Sequence, residues 1–318
     1  MGKSTAAALA ANIESEAAAV FVGSREAVRL AVIGLLGGMH VLVEDIPGVG
    51  KTTLATALAR AAGLSFSRIQ FTPDMLPGDV LGMNVWDSAA REFVFREGPI
   101  HAQCILADEL NRTSPRTQSA FLEAMQDGRV TVDGKTRDLP EPFFLIGTQN
   151  PSNFAGTFPL PEAELDRFGL AFSLGYPSAE DETEILRRRT LPGENPALEN
   201  LKAVTDPEGI RAARREIAGI AVSEPVREYL VAVVRATRQS ENVRLGASPR
   251  SAIFLQQAAR ARAALEGRSF VMPEDVEAIA PAVLAHRIQL SSQARLEKME
   301  SAKCVRSIAA DVPKPTGL

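Results

Sequence analysis

The sequence predicts an α/β fold of three layers, with a parallel sheet between helices and an all-helical domain after it. Three observations carry this. From Gly23 to about Leu174, brief apolar runs alternate with helix-patterned segments. A glycine-rich turn, Asp45-Ile-Pro-Gly-Val-Gly-Lys-Thr-Thr53, sits between one such run and a helical segment. Beyond Tyr176-Pro177 the strand-like runs vanish and helix starts follow one another. Asp206-Pro207, Ser223-Glu224-Pro225 and Ser248-Pro249 each set a capping side chain before a first-turn proline.

In chain order, residues 1–20 are Ala-rich and predict a helix or a frayed N-terminal arm. The parallel strands fall at Val41–Val43, Ser67–Phe71, Cys104–Ala107 and Phe143–Gly147, each short and apolar as expected of strands covered on both faces. Two stretches break the rhythm and predict inserted β-hairpins. One is 82–96, turning near Asp87–Ala90; the other is 128–139, where Asp133-Gly134 is a strong hairpin signal. One helix after Ser248 should stop near Gly267 and another begin near Pro273. The expected division is an arm at 1–20, a core at 21–175, a helical domain at 176–290 and a C-terminal helix and tail at 291–318.

Composition narrows the function. The 318 residues include 35 Lys+Arg and 39 Asp+Glu, a net charge of −4, which argues against a bulk electrostatic binder of nucleic acid but not against a local basic groove. At 45% hydrophobic and 23% charged residues, the chain can build a core and is not globally disordered. Cys104 and Cys304 show no disulfide spacing. The apolar stretch Leu30–Val43 is too short to span a bilayer. No signal-peptide pattern opens the chain, so the expectation is a cytoplasmic protein with no membrane insertion.

The turn after Val41–Val43 has the context of a P-loop. Gly48 and Gly50 let the backbone approach phosphate oxygens, and the following helix aims free N–H groups at them. Pro47, Gly48, Val49, Gly50, Lys51, Thr52 and Thr53 are the expected phosphate-site residues, with Lys51 on the β- and γ-phosphates and Thr52 on Mg²⁺. Asp45 stands where this pattern has its first glycine. Asp tolerates left-handed backbone, and its carboxylate must point away from the phosphates. The Gly-Lys-Ser-Thr at 2–5 has no strand before it and is coincidental.

The strand Cys104–Ala107 runs into Asp108 and Glu109. Ligands of open α/β sheets bind at the carboxyl ends of the strands, which places Asp108 beside the P-loop as a holder of the Mg²⁺ shell. Glu109 is then free to orient an attacking water. Alone, the pair fits a helix cap or solvated turn as well. Asn150, ending the Phe143 strand, could bond the γ-phosphate and that water, or form a plain Asn-Pro turn. Arg250 lies in a helix's first turn, where a cation opposes the dipole and calls for an anionic partner. Trp86 is either hairpin packing or a partner-facing contact. His40 and His101 read as packing or surface residues, and Arg187-Arg188-Arg189 as a solvated face.

These residues resemble the MoxR family of AAA+ ATPases. The resemblance is carried by Glu44-Asp-Ile-Pro-Gly-Val-Gly-Lys-Thr, Arg68-Ile-Gln-Phe-Thr-Pro-Asp74, Leu106-Ala-Asp-Glu-Leu-Asn-Arg112 and Gln118-Ser-Ala-Phe-Leu-Glu-Ala-Met125. Thr148-Gln-Asn-Pro151, Leu160-Pro-Glu-Ala-Glu-Leu-Asp-Arg-Phe168 and Gly246-Ala-Ser-Pro-Arg-Ser251 complete the ordered set, spanning about Val22 to Ile288. Asp45, and Leu110 where isoleucine is common, depart from the pattern. The resemblance implies an AAA+ core with a helical lid, ATP and Mg²⁺ as ligands, and a ring homo-oligomer such as a hexamer. It implies Asn150 as sensor 1, Arg250 as sensor 2, and Arg167 as an arginine finger acting on ATP in the neighbouring subunit. Val22 and Gly23 would flank the adenine, and the hairpins would be the helix-2 and pre-sensor-1 insertions. The implied role is chaperone-like remodelling, maturation or activation of protein clients, with a von Willebrand factor A domain protein as a partner. The alternatives are a nucleic-acid motor, hinted at only by Arg129, Lys135 and Arg137, and an ATP-gated scaffold with negligible turnover.

Overall fold

The computed structural model describes residues 5–149, 158–188 and 196–315. Its first helix, α1 (Thr5–Val20), buries Ala6, Leu9, Ala10, Ile13, Ala17 and Val20. That spacing is one face of an α-helix, and it packs on the core instead of fraying. Ser24 caps α2 (Arg25–Gly37) by accepting from the Ala27 N–H at 3.2 Å, and Gly38 ends it at φ 69°.

The first strand, β1 (Val41–Glu44), leads through the glycine turn to α3 (Lys51–Ala61). Next come β2 (Phe66–Gln70), α4 (Pro77–Leu81), the hairpin β3 (Gly82–Asp87) and β4 (Glu92–Glu97), β5 (Cys104–Asp108) and α5 (Pro115–Asp127). The second hairpin is β6 (Arg129–Val132) and β7 (Lys135–Asp138), and the core strands end with β8 (Phe144–Gln149) and β9 (Leu170–Phe172). Both hairpins sit where the sequence predicts them. Asp133 and Gly134 take φ 50° and 75°, as a two-residue turn matching strand twist requires.

The main sheet is parallel in the order β2-β5-β8-β1-β9. Alternate strand residues enter different layers. Val41, Val43, Cys104, Leu106, Phe144 and Ile146 join a core with α1, α2, α3 and the C-terminal helices. Leu42, Ile105, Ala107 and Leu145 face the other way, onto Phe121, Leu122 and Met125 of α5. Period-two alternation with both faces buried is what makes the strands read as continuous apolar runs. The sheet's fifth strand, β9, is not anticipated by sequence: three residues are too few to show a pattern.

After Tyr176 the chain is helical, with Pro207–Ala218, Glu224–Ala236, Pro249–Leu265 and Pro273–Leu284 as its main helices. The unit is helical as expected, with two short strand pairings added to it. Val243–Leu245 pairs antiparallel with Gln289–Leu290, and Ala221 bridges to Phe270. These pairings join segments far apart in the chain, so no local periodicity announces them. Among the described residues, no helix is long and apolar enough to cross a membrane.

Candidate functional site

The glycine turn between β1 and α3 builds a loop of exposed amides. Gly48 and Gly50 take φ 90° and 93°, the left-handed region that only glycine enters freely. Gly50 is also the N-cap of α3, with no side chain satisfying the first-turn N–H groups, which stay available to an anion. Lys51 opens the helix, 9% exposed, and its Nζ donates to the Asp45 carbonyl at 2.6 Å. Burial pulls its pKa down, against the attraction of Asp45, Asp108 and Glu109.

Asp45 is kept for a different reason than the one expected. It is not among the left-handed residues; its carboxylate is held by the chain that leaves β9. Oδ2 accepts from Ser173 Oγ at 2.8 Å and from the Leu174 and Gly175 N–H groups at 2.7 and 2.9 Å, while Oδ1 accepts from the Ile46 N–H at 2.9 Å. The acid thus points away from the phosphate side, as charge demands.

At the carboxyl end of the neighbouring strands the two acids are tied by Thr148. Its hydroxyl donates to Asp108 Oδ1 at 2.7 Å and accepts from the Glu109 N–H at 2.9 Å. Arg68 donates to Asp108 Oδ2 at 2.6 Å. Glu109 sits at φ 56°, an uncommon backbone for a residue with a Cβ, just beyond β5. Its Oε2 accepts from Gln70 Nε2 at 2.8 Å and Arg112 Nη1 at 2.9 Å.

These groups face one cleft with two lobes. Pro47, Gly48, Gly50, Lys51, Thr52 and Thr53 line the polar lobe together with Arg68, Gln70, Asp108 and Glu109. Phe21, Val22, Val49, Pro177 and Ile185 wall an apolar lobe that shares Gly48, Gly50 and Thr53. Gly23 lines neither; it turns the chain at φ 152°, and an added Cβ would come 3.0 Å from the Phe21 ring. An anionic chain on the amides with an aromatic base between apolar walls fits the two lobes. Thr52 and Asp108 are the hard-oxygen donors suited to magnesium; among the described residues no group of three or more His, Cys, Asp and Glu side chains is clustered to hold a metal ion.

Other predicted residues stand apart. Arg250 is exposed in the first turn of Pro249–Leu265 and lines neither lobe. Arg167 follows the short helix Glu162–Leu165, half-buried, and its Nη1 is buried with no hydrogen bond among the described residues. Asn150 lies outside the described residues; β8 is described to Gln149, opposite Glu44.

Sequence reasoning left Arg68, Gln70, Arg112 and Thr148 without roles. Arg68 and Gln70 had a usable signal, since polar residues two apart share a strand face. Arg187 and Arg188 are exposed, as a solvated face requires; Arg188 also borders the apolar lobe and donates to the Ala19 carbonyl at 2.6 Å, and Arg189 lies outside the described residues.

Comparison with known proteins agrees with this geometry. Residues 40–170 match the ATPase family associated with various cellular activities (AAA), and residues 235–308 match the AAA lid domain. The chain is 45% identical to the uncharacterized protein YeaC of Bacillus subtilis (strain 168) over 93% of its own length and 92% of that protein's. It is 37% identical to Chaperone MoxR1 of Mycobacterium tuberculosis, covering 93% of this chain and 80% of the relative. With Protein MoxR of Methylorubrum extorquens the identity is 30%, over 96% and 95%. A crystal structure of a candidate ATPase from Cytophaga hutchinsonii superposes with a TM-score of 0.87 at 34% identity, over 98% and 97% of the two chains. The chain belongs to the MoxR family of AAA+ ATPases, enzymes that bind and hydrolyse ATP.

Proposed function

We propose that this ATPase works as a cytoplasmic ring homo-oligomer, a hexamer, that couples Mg²⁺-dependent ATP hydrolysis to the remodelling or activation of protein clients. The observation that carries the chemistry is the convergence of Lys51, Thr52, Asp108 and Glu109 on one lobe beneath the glycine turn. The α3 amides and Lys51 bind the phosphates, and Val22 and Val49 flank the base. Thr52 and Asp108 hold magnesium, which neutralises phosphate charge when bound; Arg68, 47% exposed, is a weak competitor for that carboxylate. Glu109 orients the attacking water and takes its proton once its carboxylate leaves Gln70 and Arg112. Asn150 assists at the γ-phosphate, Arg250 reaches the nucleotide from the lid, and Arg167 serves the neighbouring subunit.

Residues 21–175 act as the motor, α1 packs onto it, and 176–290 with the C-terminal helix form the lid. The hairpin β3–β4 supports a protein client. Trp86 and Phe93 are 54% and 69% exposed on one face of the hairpin, and Met83, Val85 and Val94 are exposed on the other. One relative is itself named a chaperone. A von Willebrand factor A domain protein is the client class implied by the resemblance. Of the basic residues of the second hairpin, Arg137 is engaged, stacking on Phe95 at 3.6 Å, and Asp133 and Asp138 offset the charge, so nucleic acid is the weaker reading.

Phosphate release decides the chemistry. Lys51→Ala should lose nucleotide binding, whereas Glu109→Gln should bind ATP normally and turn over on the order of 10²–10⁴-fold more slowly. Normal turnover by Glu109→Gln would remove Glu109 from its role, and steep DNA stimulation of the wild type would favour the nucleic-acid motor.

A further inference from the structure

The turn that carries Arg167 is held from two sides: the core buries Phe168 and accepts from the Gly169 N–H through the His40 carbonyl at 2.8 Å, and the lid of the same chain grips the backbone. Arg287, in the short 3-10 helix Ala285–Arg287, has a side chain only 2% exposed. Its Nε donates to Asp166 Oδ1 at 2.9 Å, Nη2 to the Asp166 carbonyl at 3.3 Å and Nη1 to the Gly169 carbonyl at 3.2 Å. Nη2 also donates to the Phe168 carbonyl. The guanidinium therefore grips the backbone on both sides of Arg167. Ser248 Oγ donates to the same Asp166 carboxylate at 3.2 Å, and Gln289 reaches Glu162 at the start of the turn. The Arg287 guanidinium also lies 4.7 Å from the Phe254 ring, one helical turn beyond Arg250. Both ends of Pro249–Leu265's first turns thus touch the clamp, through Ser248 and Phe254.

We infer that Arg287 and Asp166 are a positioning pair that makes the Arg167 turn move with the lid of its own subunit and so sets where Arg167 meets the next subunit's ATP. The inference rests on the reading of Arg167 as a group acting between subunits. A planar fork with several donors suits this work, because it fixes direction as well as distance; a lysine would keep the charge and lose the grip on the carbonyls. A nucleotide-driven shift of the lid would then reposition Arg167 at the neighbouring site, without any contact between the two nucleotides.

Mixed oligomers test this. Glu109→Gln subunits cleave ATP only at a small residual rate but still offer Arg167, and Arg167→Ala subunits can cleave efficiently only with an arginine from next door. Mixing them should restore ATP turnover. Adding Arg287→Gln to the Glu109→Gln subunit should then cut the restored rate at least about tenfold, as removal of an arginine finger would, with KM for ATP little changed. The same change placed on the Arg167→Ala subunit should cost far less. Equal losses from both placements, or a loss expressed in KM, would mean that Arg287 only supports the fold and would overturn the proposal. Because Arg287 is buried, Asp166→Asn on the donor subunit is the second variant: it keeps the shape and weakens the pair, and should cut the rate in the same placement-dependent way. Failure of the parent mixture to regain any turnover would overturn the inter-subunit role of Arg167 itself, a distinct result.

Discussion

The phosphate end of the cleft and the turn that carries Arg167 satisfy their charges in opposite ways. At the phosphate end every charged group has a partner inside the chain. Lys51 donates to the Asp45 carbonyl, Asp108 is held by Thr148 and Arg68, and Glu109 by Gln70 and Arg112. At the Arg167 turn the backbone is clamped while the guanidinium has a buried nitrogen without a partner among the described residues, and Arg250 is exposed to solvent. A desolvated cation costs free energy unless an anion meets it. On the proposed function, the contrast is that of a site prepared within one chain and a site that a ligand or a second chain would finish.

The largest effect should come from the unfinished side. Arg167→Ala should lower kcat by roughly 10³–10⁵ in the assembled protein. Wild-type turnover per subunit should rise with protein concentration in a phosphate-release assay, and that of the variant should stay flat. Identical behaviour of the two proteins across concentration would erase the distinction between the halves.

A smaller effect tests how far the phosphate side is prepared. Asp45→Ala strips the Ile46 and Leu174 amides of this acceptor and leaves the Gly175 N–H only Ser173 Oγ. It should destabilise the protein by about 3 kcal/mol, seen in chemical denaturation, and weaken ATP binding through a loosened loop. Unchanged stability would mean that the loop's shape is set by its glycines alone.

The third test acts beneath both halves. The His40 ring accepts from the Leu145 N–H at 3.1 Å, and its carbonyl accepts from the Gly169 N–H at 2.8 Å, two residues after Arg167. Burial, reinforced by Arg214, lowers its pKa to about 4. The unfolded chain therefore takes up the proton first. Stability from this group is complete above about pH 6.5 and is lost as pH falls towards 4, by up to about 3 kcal/mol. Denaturation midpoints of wild type against His40→Phe over that window should converge at low pH. Parallel curves would show that His40 does not titrate with unfolding.

Local chemistry made one half readable. The loop Pro47–Thr53 needs glycines at two left-handed positions and a lysine at the helix start, and the strand Cys104–Asp108 needs an apolar run ending in acid. Both requirements are met by neighbours in sequence, so Lys51, Thr52, Asp108 and Glu109 could be named, and with them the layered core and both hairpins. The apolar walls were only partly legible: Val22 and Val49 adjoin the motifs, but Phe21, Pro177 and Ile185 meet only after folding. Arg188 is exposed as expected, but its contact with the Ala19 carbonyl was not legible, because helix periodicity does not report what approaches a helix from another part of the chain.

The amino-acid order by itself determined four of the five core strands, both hairpins, the phosphate loop, the paired acids and the helix starts, because each depends on backbone preferences and spacings within a few residues. Tertiary structure alone decided that Asp45 serves the β9 exit, that Thr148 links the acids, and that Arg287 grips the Arg167 turn from a lid segment about 120 residues away. Charge satisfaction acts through space, and no periodicity along the chain encodes which distant carbonyl a buried guanidinium will find.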